Sequence, residues 1–243
     1  MTAIPPIILN PEGALPGLIV VDHAGVDRPP GLVAPDFAGE WLGTHHFTDL
    51  GVADLARALA ARLDMPVVLG TVSRLVLDVN RWLDDPRSIL AQVEGRVLAG
   101  NALDAPARTA RQEAIFWPYH EAVGRLWQRQ CARHKAPLFF ALHSCTRSFE
   151  GFRRPWDGGT IWHDDARLSQ AVLAYLGRDS TLTLGDNQPY TGRTGSYTLD
   201  RHTFGTGLPA CGFEVSNDLL ETASDRLAWA DRLTAALTEA MVP

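Results

Sequence analysis

The sequence has few of the features that would assign it to a specialised class at once. Its three cysteines, Cys131, Cys145 and Cys211, are irregularly spaced and form neither a disulfide framework nor a Cys-x-x-Cys metal motif. The N-terminal residues MTAIPPIILNPEG lack the basic stretch of a signal peptide. No run approaches the roughly 18 apolar residues that a membrane-spanning helix needs. These absences predict a cytoplasmic protein that neither crosses nor binds a membrane.

An excess of basic charge is also missing. Lysine and arginine total 22 against 28 aspartates and glutamates, and the formal net charge is −6. Nucleic acids and anionic membranes attract basic surfaces, so this balance argues against both as partners. A small anionic substrate stays compatible with the sequence, because a few arginines can dominate the field of one pocket. The sequence gives no indication of the oligomeric state.

Repeats, low-complexity tracts and Ser/Gly linkers are missing as well. A length of 243 residues, of which 46% are hydrophobic, suits one large domain with a substantial core. We therefore predict a single domain over residues 1–243. No Gly-rich segment has the spacing of a phosphate-binding loop, which argues against a nucleotide cofactor.

Apolar runs alternate with amphipathic stretches along the chain. Runs such as GLIVVD and PLFFAL are too continuously apolar for strands that expose one face to solvent. The pattern predicts an α/β protein of three αβα layers with a mixed, mainly parallel central sheet, whose ligands bind at the carboxyl ends of the strands. Strands are predicted at residues 17–22, 66–71, 75–80, 137–143, 181–184 and 211–216, and helices at residues 49–64, 108–135, 165–177 and 217–241.

Two histidines stand at the ends of predicted strands. His23 follows the first strand and His143 ends the strand at residues 137–143. A catalytic zinc takes three ligands from His, Asp, Glu or Cys and keeps a fourth position open for water. A single histidine at a strand end is more often structural. Two at the same edge of one sheet project into one crevice, which favours a metal site.

The spacing does not fix a third ligand. The His-x-x-Glu pattern of many zinc peptidases is missing, because Val26 stands three residues after His23. Asp49 is the best candidate, although an aspartate at the start of a helix is also an ordinary cap. His46 and Asp27 remain alternatives.

Further charged residues lie near the same predicted edge. Glu214 sits in the apolar strand ACGFEV and is a candidate general base if buried, or a solvent-facing residue if that strand lies at an edge. Arg81 follows Asn80 at the end of a predicted strand. The guanidinium of Arg81 could bind a substrate carboxylate through two hydrogen bonds, and Arg74 could contribute to the same binding. The alternative for either arginine is a surface ion pair.

Taken in order, these residues resemble the N-formylglutamate amidohydrolase family over nearly the whole chain. The matching blocks are residues 22–25 (DHAG), 46–51 (HFTDLG), 73–81 (SRLVLDVNR), 119–120 (YH), 143–144 (HS), 154–156 (RPW), 186–192 (DNQPYTG) and 213–219 (FEVSNDL). The resemblance implies a phosphorylase/hydrolase-like fold similar to the zinc carboxypeptidases and deacylases, with a mixed eight-stranded sheet between helices.

The resemblance also implies a role for individual residues. His23, Asp49 and His143 are expected to bind one zinc ion per chain, and Glu214 to act as the general base. Asn80 and Arg81 are expected to bind a substrate carboxylate. Two further residues from the matching blocks, Tyr190 and Arg154, are expected to contribute to substrate binding.

The implied reaction is metal-assisted hydrolysis of the acyl–nitrogen bond of a small N-acyl acidic amino acid, such as N-formylglutamate. Arg74 is the first candidate to stabilise the oxyanion and His120 the second. One alternative is a thiol hydrolase with Cys145 as nucleophile and His143 or His163 as base. The other is a non-catalytic protein that only binds carboxylates.

Overall fold

The structure is a computed structural model that describes residues 2–194 and 196–241. Its strands, numbered in chain order, are β1 Ile7–Leu9, β2 Gly17–Val21, β3 Val67–Leu69, β4 Gln92–Val93, β5 Arg96–Val97, β6 Leu138–Cys145, β7 Ser148–Phe149, β8 Phe152–Arg153, β9 Gly158–Ile161, β10 Leu184–Asp186 and β11 Ala210–Ser216. Its α-helices are α1 Val52–Ala60, α2 Ala105–Arg111, α3 Trp117–Arg133, α4 Arg167–Leu176, α5 Tyr197–Thr203 and α6 Ala223–Ala240.

Seven strands form the main sheet, in the order β1-β3-β2-β6-β11-β9-β10. The four central strands, β3, β2, β6 and β11, run parallel to one another. β1 and β9 pair antiparallel with their neighbours β3 and β11, and β10 is parallel to β9. The predicted mixed, mainly parallel sheet is therefore confirmed, but with seven strands among the described residues instead of eight.

Each central strand contributes side chains to two separate cores. In β2, Leu18 and Val20 belong to a core with residues of α3, whereas Ile19 and Val21 belong to a core with residues of α1, α4 and α6. This alternation is expected of a sheet covered on both faces, because successive side chains point to opposite sides. The predicted three-layer αβα architecture is confirmed.

The strand predicted at residues 75–80 is wrong, because these residues form turns. The hydroxyl of Ser73 accepts a hydrogen bond from the backbone of Leu75 at 3.2 Å, and the Ser73 carbonyl accepts one from Val76 at 2.9 Å. Leu75, Val76 and Leu77 are buried all the same. Their apolar run thus reflects burial in the core, which the sequence pattern does not distinguish from a buried strand.

The helix predicted at residues 108–135 is divided into three parts. A π-helical segment at Gln112–Phe116 separates α2 from α3. The sequence analysis also missed β1, β9 and the two short hairpins β4–β5 and β7–β8. These strands have only two to four residues, too few for a periodic pattern to emerge. No helix of the described residues has both the length and the apolar character to cross a membrane.

Candidate metal centre and substrate cavity

The carboxyl ends of the central parallel strands bring three predicted site residues, and Asp22 beside them, to one edge of the sheet. Asp22 and His23 directly follow β2, and His143 lies near the end of β6. Glu214 of β11 is paired in register with His143. Residues paired directly across neighbouring strands share a face of the sheet, so Glu214 and His143 project to the same side.

His23, Asp49 and His143 form a compact group of potential metal ligands. One donor atom from each residue lies within 4.8 Å of the other two, and all three residues are buried. Oδ2 of Asp49 is 3.0 Å from Nδ1 of His143 and 3.5 Å from Nδ1 of His23. Two imidazole nitrogens and one carboxylate oxygen suit zinc and leave a further position open.

Two more carboxylates stand behind the histidines. Oδ1 of Asp78 lies 2.8 Å from Nε2 of His23, and Oδ2 of Asp22 lies 3.4 Å from Nε2 of His143. A carboxylate on one ring nitrogen holds the proton there and directs the lone pair of the other nitrogen outward. Both Nδ1 atoms are therefore set up to bind a cation, and the donor set fits a metal ion.

Asp22 is fixed by two further hydrogen bonds. The Tyr119 hydroxyl donates to Asp22 Oδ1 at 2.7 Å, and the Thr198 hydroxyl donates to the same atom at 2.8 Å. Burial alone would raise the pKa of Asp22, but the His143 ring, the charge of His23 and the Tyr119 hydrogen bond hold it at about 2. Asp22 is thus an anion at neutral pH and orients the His143 ring.

The structure also separates Asp49 from the alternative third ligands. His46 Nε2 lies 3.1 Å from Glu94 Oε1, and Asp27 is exposed. Neither belongs to a metal-binding group in the described part of the chain. The helix-cap interpretation of Asp49 is wrong, since α1 begins at Val52 after the N-cap residue Gly51.

Glu214 is buried within the sheet, so the alternative of a solvent-facing edge residue is wrong. Its strand β11 lies between β6 and β9, and the residue is only 7% exposed. Among the described residues, its Oε2 atom has no hydrogen-bond partner. A buried carboxylate oxygen without a partner is costly unless a ligand or a water completes it.

A cavity of about 410 Å³ opens in front of these residues. Most of the predicted site residues line it, namely His23, Asp49, Arg74, Asn80, Arg81, His143, Tyr190 and Glu214. Asp78 and Arg87 line it too and were given no role from the sequence. The structure therefore gathers the predicted metal ligands, general base and carboxylate-binding residues around one space.

The arginines of the cavity differ in their contacts. The Arg74 guanidinium contacts Asp49 Oδ1, the oxygen that does not face the two histidines. Nε of Arg81 is 3.8 Å from Asp78 Oδ2. Asn80 Oδ1 accepts a hydrogen bond from the backbone of Thr198 at 2.9 Å. Both arginines thus lie beside carboxylates of the candidate metal site and line the cavity.

Arg154 is placed differently from its prediction, because it does not line this cavity. Its guanidinium donates to the Tyr190 hydroxyl at 2.8 Å and stacks on the rings of Phe149 and Tyr190. Those two rings do line the cavity. Arg154 therefore contacts residues of the cavity wall and does not itself line the cavity.

His120 also lies outside the cavity lining. Its Nε2 atom is 2.8 Å from the Val79 carbonyl, and its Nδ1 atom is 3.1 Å from His202 Nε2. Both ring nitrogens are engaged by these neighbours. The position therefore does not support His120 as an oxyanion donor, and Arg74 is the candidate that remains.

The contacts of Cys145 and His163 count against a thiol hydrolase. Burial raises the pKa of the Cys145 thiol to about 12, so it is protonated at neutral pH and a poor nucleophile. His163 does not line the cavity, and its Nδ1 atom lies 3.1 Å from Asp200 Oδ1.

The sequence analysis overlooked the residues behind the ligands. Asp22 and Asp78 both lie in the matching blocks, and an aspartate next to a candidate ligand such as His23 is a signal that could have found Asp22. Tyr119 and Thr198 reach Asp22 from 97 and 176 residues away, respectively. Spacing along the chain contains no signal for contacts of that kind.

Comparison with known proteins supports the family resemblance that the sequence blocks indicate. The sequence model of N-formylglutamate amidohydrolase matches residues 15–221. The crystal structure of gene product Atu2144 from Agrobacterium tumefaciens is similar at a TM-score of 0.88 and 28% identity, over 99% of this chain and 95% of that one. The N-formylglutamate amidohydrolase of Ralstonia eutropha JMP134 has the same fold, at a TM-score of 0.75 and 21% identity over 97% of both chains. Among curated protein sequences none matches.

The family match identifies the chain as a hydrolase that acts on amide bonds. Within that class it belongs to the N-formylglutamate amidohydrolase family, whose sequence model covers most of its length. The family assignment made from the sequence blocks is confirmed.

Proposed function

We propose that the protein is a zinc-dependent amidohydrolase that cleaves the acyl–nitrogen bond of a small N-acyl acidic amino acid such as N-formylglutamate. The observation that carries the proposal is the buried group of His23, Asp49 and His143 beside the Oε2 atom of Glu214, which has no partner in the described part of the chain. Family membership and the name of the Ralstonia eutropha relative support the substrate class.

His23, Asp49 and His143 would hold the metal ion. When bound, zinc supplies a Lewis acid that polarises the acyl oxygen and acidifies water. Asp78 and Asp22 keep the two imidazoles in the tautomer that presents Nδ1. Glu214 takes a proton from the attacking water and passes it to the nitrogen of the departing amine, which is the task of a general base that then acts as an acid.

The arginines of the cavity account for recognition of an acidic ligand by an acidic protein. Arg81 and Asn80 bind the carboxylate of the substrate, and Tyr190 lines the same cavity. Arg74 lies against Asp49 and stabilises the charge that develops on the acyl oxygen. The arginines of the lining balance the carboxylates of Asp49, Asp78 and Glu214, so a bound zinc ion would make the local charge positive although the chain as a whole has a net charge of −6.

A substrate screen with zinc-loaded protein tests the proposal. The N-formyl, N-acetyl and N-succinyl derivatives of glutamate, aspartate and leucine separate the acyl group from the side chain. We expect about one zinc per chain and release of the free amino acid from an acidic derivative, measured by a ninhydrin assay. Full zinc occupancy with ligand binding but no turnover would instead favour a non-catalytic binding protein.

A further inference from the structure

Residues 73–81 form an irregular loop that carries much of the candidate site; we call it the site loop. Arg74, Asp78, Asn80 and Arg81 of this loop all line the cavity. The loop is not part of the sheet, so strand pairing cannot satisfy its backbone groups. Buried carbonyls need other donors in that case.

Three buried side chains supply those donors. Asn101 Nδ2 donates to the Leu75 carbonyl at 2.8 Å, and Arg111 Nη1 donates to the Val76 carbonyl at 2.7 Å. His120 Nε2 lies 2.8 Å from the Val79 carbonyl. We call Asn101, Arg111 and His120 the carbonyl clamp. None of them is more than 5% exposed.

Burial of the Arg111 guanidinium is energetically unfavourable, so packing alone does not explain this residue. It is 1% exposed, and burial and the charge of Arg108, with no contribution from a carboxylate among the described residues, lower its pKa to about 10. Its hydrogen bonds go to Asn101 Oδ1 and to three carbonyls, those of Val76, Gly100 and Leu32. Burying an unpaired cation costs several kcal/mol, roughly, and an apolar residue would fill the same volume without that cost. Its fork, in contrast, suits the task of holding several carbonyls at once.

His120 has a defined proton arrangement. A carbonyl can only accept a hydrogen bond, so Nε2 of His120 carries the proton that Val79 receives. Nδ1 of His120 is then the acceptor, and His202 Nε2 donates to it at 3.1 Å. Burial lowers the pKa of His120 to about 4 and that of His202 to about 3, which keeps both rings neutral at physiological pH.

The π-helical segment at Gln112–Phe116 lets Arg111 and His120 act on the same loop. In a regular α-helix of 3.6 residues per turn, residues nine positions apart lie on opposite faces. The wider turn of a π-helix rotates each residue through a smaller angle and moves His120 toward the face of Arg111. π-Helical turns are frequent at functional sites, which agrees with this use.

We propose that the carbonyl clamp is a set of positioning residues that fixes the site loop for catalysis. Arg111 and Asn101 hold the part of the loop between Arg74 and Asp78, and His120 holds the carbonyl next to Asn80 and Arg81. Through Asp78 the clamp supports the His23 ring of the metal centre, and through Asn80 and Arg81 it supports carboxylate binding. This inference rests on the proposed function for the roles of these residues.

The test compares His120→Phe and Arg111→Met with a control of similar instability, Leu233→Ala. Leu233 is fully buried in the other core, on the far face of the sheet. Each variant is purified with zinc, and its melting temperature is measured first. The zinc dissociation constant and the steady-state kinetics on the best acidic substrate are then measured well below that temperature. We expect both clamp variants to lose zinc affinity by about tenfold or more, as when the partner of a metal-bound histidine is disturbed. His120→Phe should also raise KM more than it lowers kcat.

A rescue variant separates positioning from simple stability. His120→Gln keeps an N–H donor and should return zinc affinity and KM to within a small factor of the wild-type values. If the clamp variants melt earlier but keep wild-type zinc affinity and KM, as Leu233→Ala should, the inference is overturned. It is also overturned if His120→Gln is as impaired as His120→Phe. A wild-type protein that hydrolyses nothing would contradict the proposed function alone, because zinc affinity still tests the clamp.

Discussion

Glu214 combines three properties at the scale of a single residue: it is buried, it faces the cavity, and one of its oxygens has no partner among the described residues. A structural glutamate inside a sheet would be expected to have both oxygens satisfied. Its paired position opposite His143 places it beside the candidate metal ligands. These properties together make it the strongest candidate for proton transfer.

Replacement of this residue by its amide tests the role. Glu214→Gln is nearly isosteric but cannot accept a proton from water, so kcat should fall by roughly 10²–10⁴-fold. Zinc content and melting temperature should stay close to wild type, because no ligand is removed. The measurements are kcat on one active substrate, zinc by elemental analysis, and thermal unfolding. A variant with intact zinc and nearly normal kcat would remove Glu214 from the mechanism.

At the scale of elements, backbone hydrogen bonds join the loops that follow β2 and β3. Asp27 donates a backbone hydrogen bond to the Thr71 carbonyl at 2.9 Å, and Ser73 donates one to Asp27 at 3.1 Å. Gly25 permits this approach, because a Cβ atom there would lie only 2.0 Å from the Thr71 carbonyl carbon. The position of the site loop therefore depends on a glycine that has no chemical role.

Gly25→Ala is the corresponding prediction. The added methyl group must push the two loops apart, and we expect the free energy of unfolding to fall by about 2 kcal/mol, the usual size of an overpacking effect. Urea unfolding followed by tryptophan fluorescence measures the change. Gly39→Ala is the control, since its Cβ would only reach ordinary contact distance from Arg28. Equal stability of the two variants would contradict the role given to Gly25.

The elements also indicate where inference from sequence succeeds and where it stops. The runs that became β2, β6 and β11 were predicted because strands buried on both faces leave an unbroken apolar signature. His23 and His143 followed from the ends of two such strands. Residues 75–80 have the same signature, but their carbonyls are satisfied by distant side chains such as Arg111. Hydrogen bonds of that kind leave no periodic trace in a sequence.

At the scale of the whole molecule, the main sheet takes its strands from Ile7 to Ser216, which supports the proposal that the chain forms one domain. Two of its histidines, the buried His120 and the half-buried His202, are neutral in the folded state, because desolvation lowers their pKa values to about 4 and about 3. In the unfolded chain each histidine has a pKa of about 6.5. Below that pH, the protein therefore takes up protons when it unfolds.

The sign of the pH dependence follows from that uptake. As the pH falls from about 6.5 toward 4, the unfolded state is favoured, and each histidine lowers the free energy of unfolding by about 1.4 kcal/mol per pH unit. Urea unfolding of wild type and His202→Gln at pH 7, 6 and 5 measures the effect. We expect the variant to have the shallower slope, by about one proton. Identical slopes would mean that His202 is not held neutral in the folded protein.

The distance along the chain between the candidate ligands also has a consequence for synthesis. His23 and Asp49 leave the ribosome early, whereas His143 follows about 120 residues after His23. At a synthesis rate of about 5–20 residues per second, the first ligand waits roughly 6–24 s for the last one. Glu214 emerges later still. A nascent chain therefore cannot bring the three candidate ligands together before its strand β6 is made, so a metal ion held by all three could be captured only after residue 143 has been synthesised.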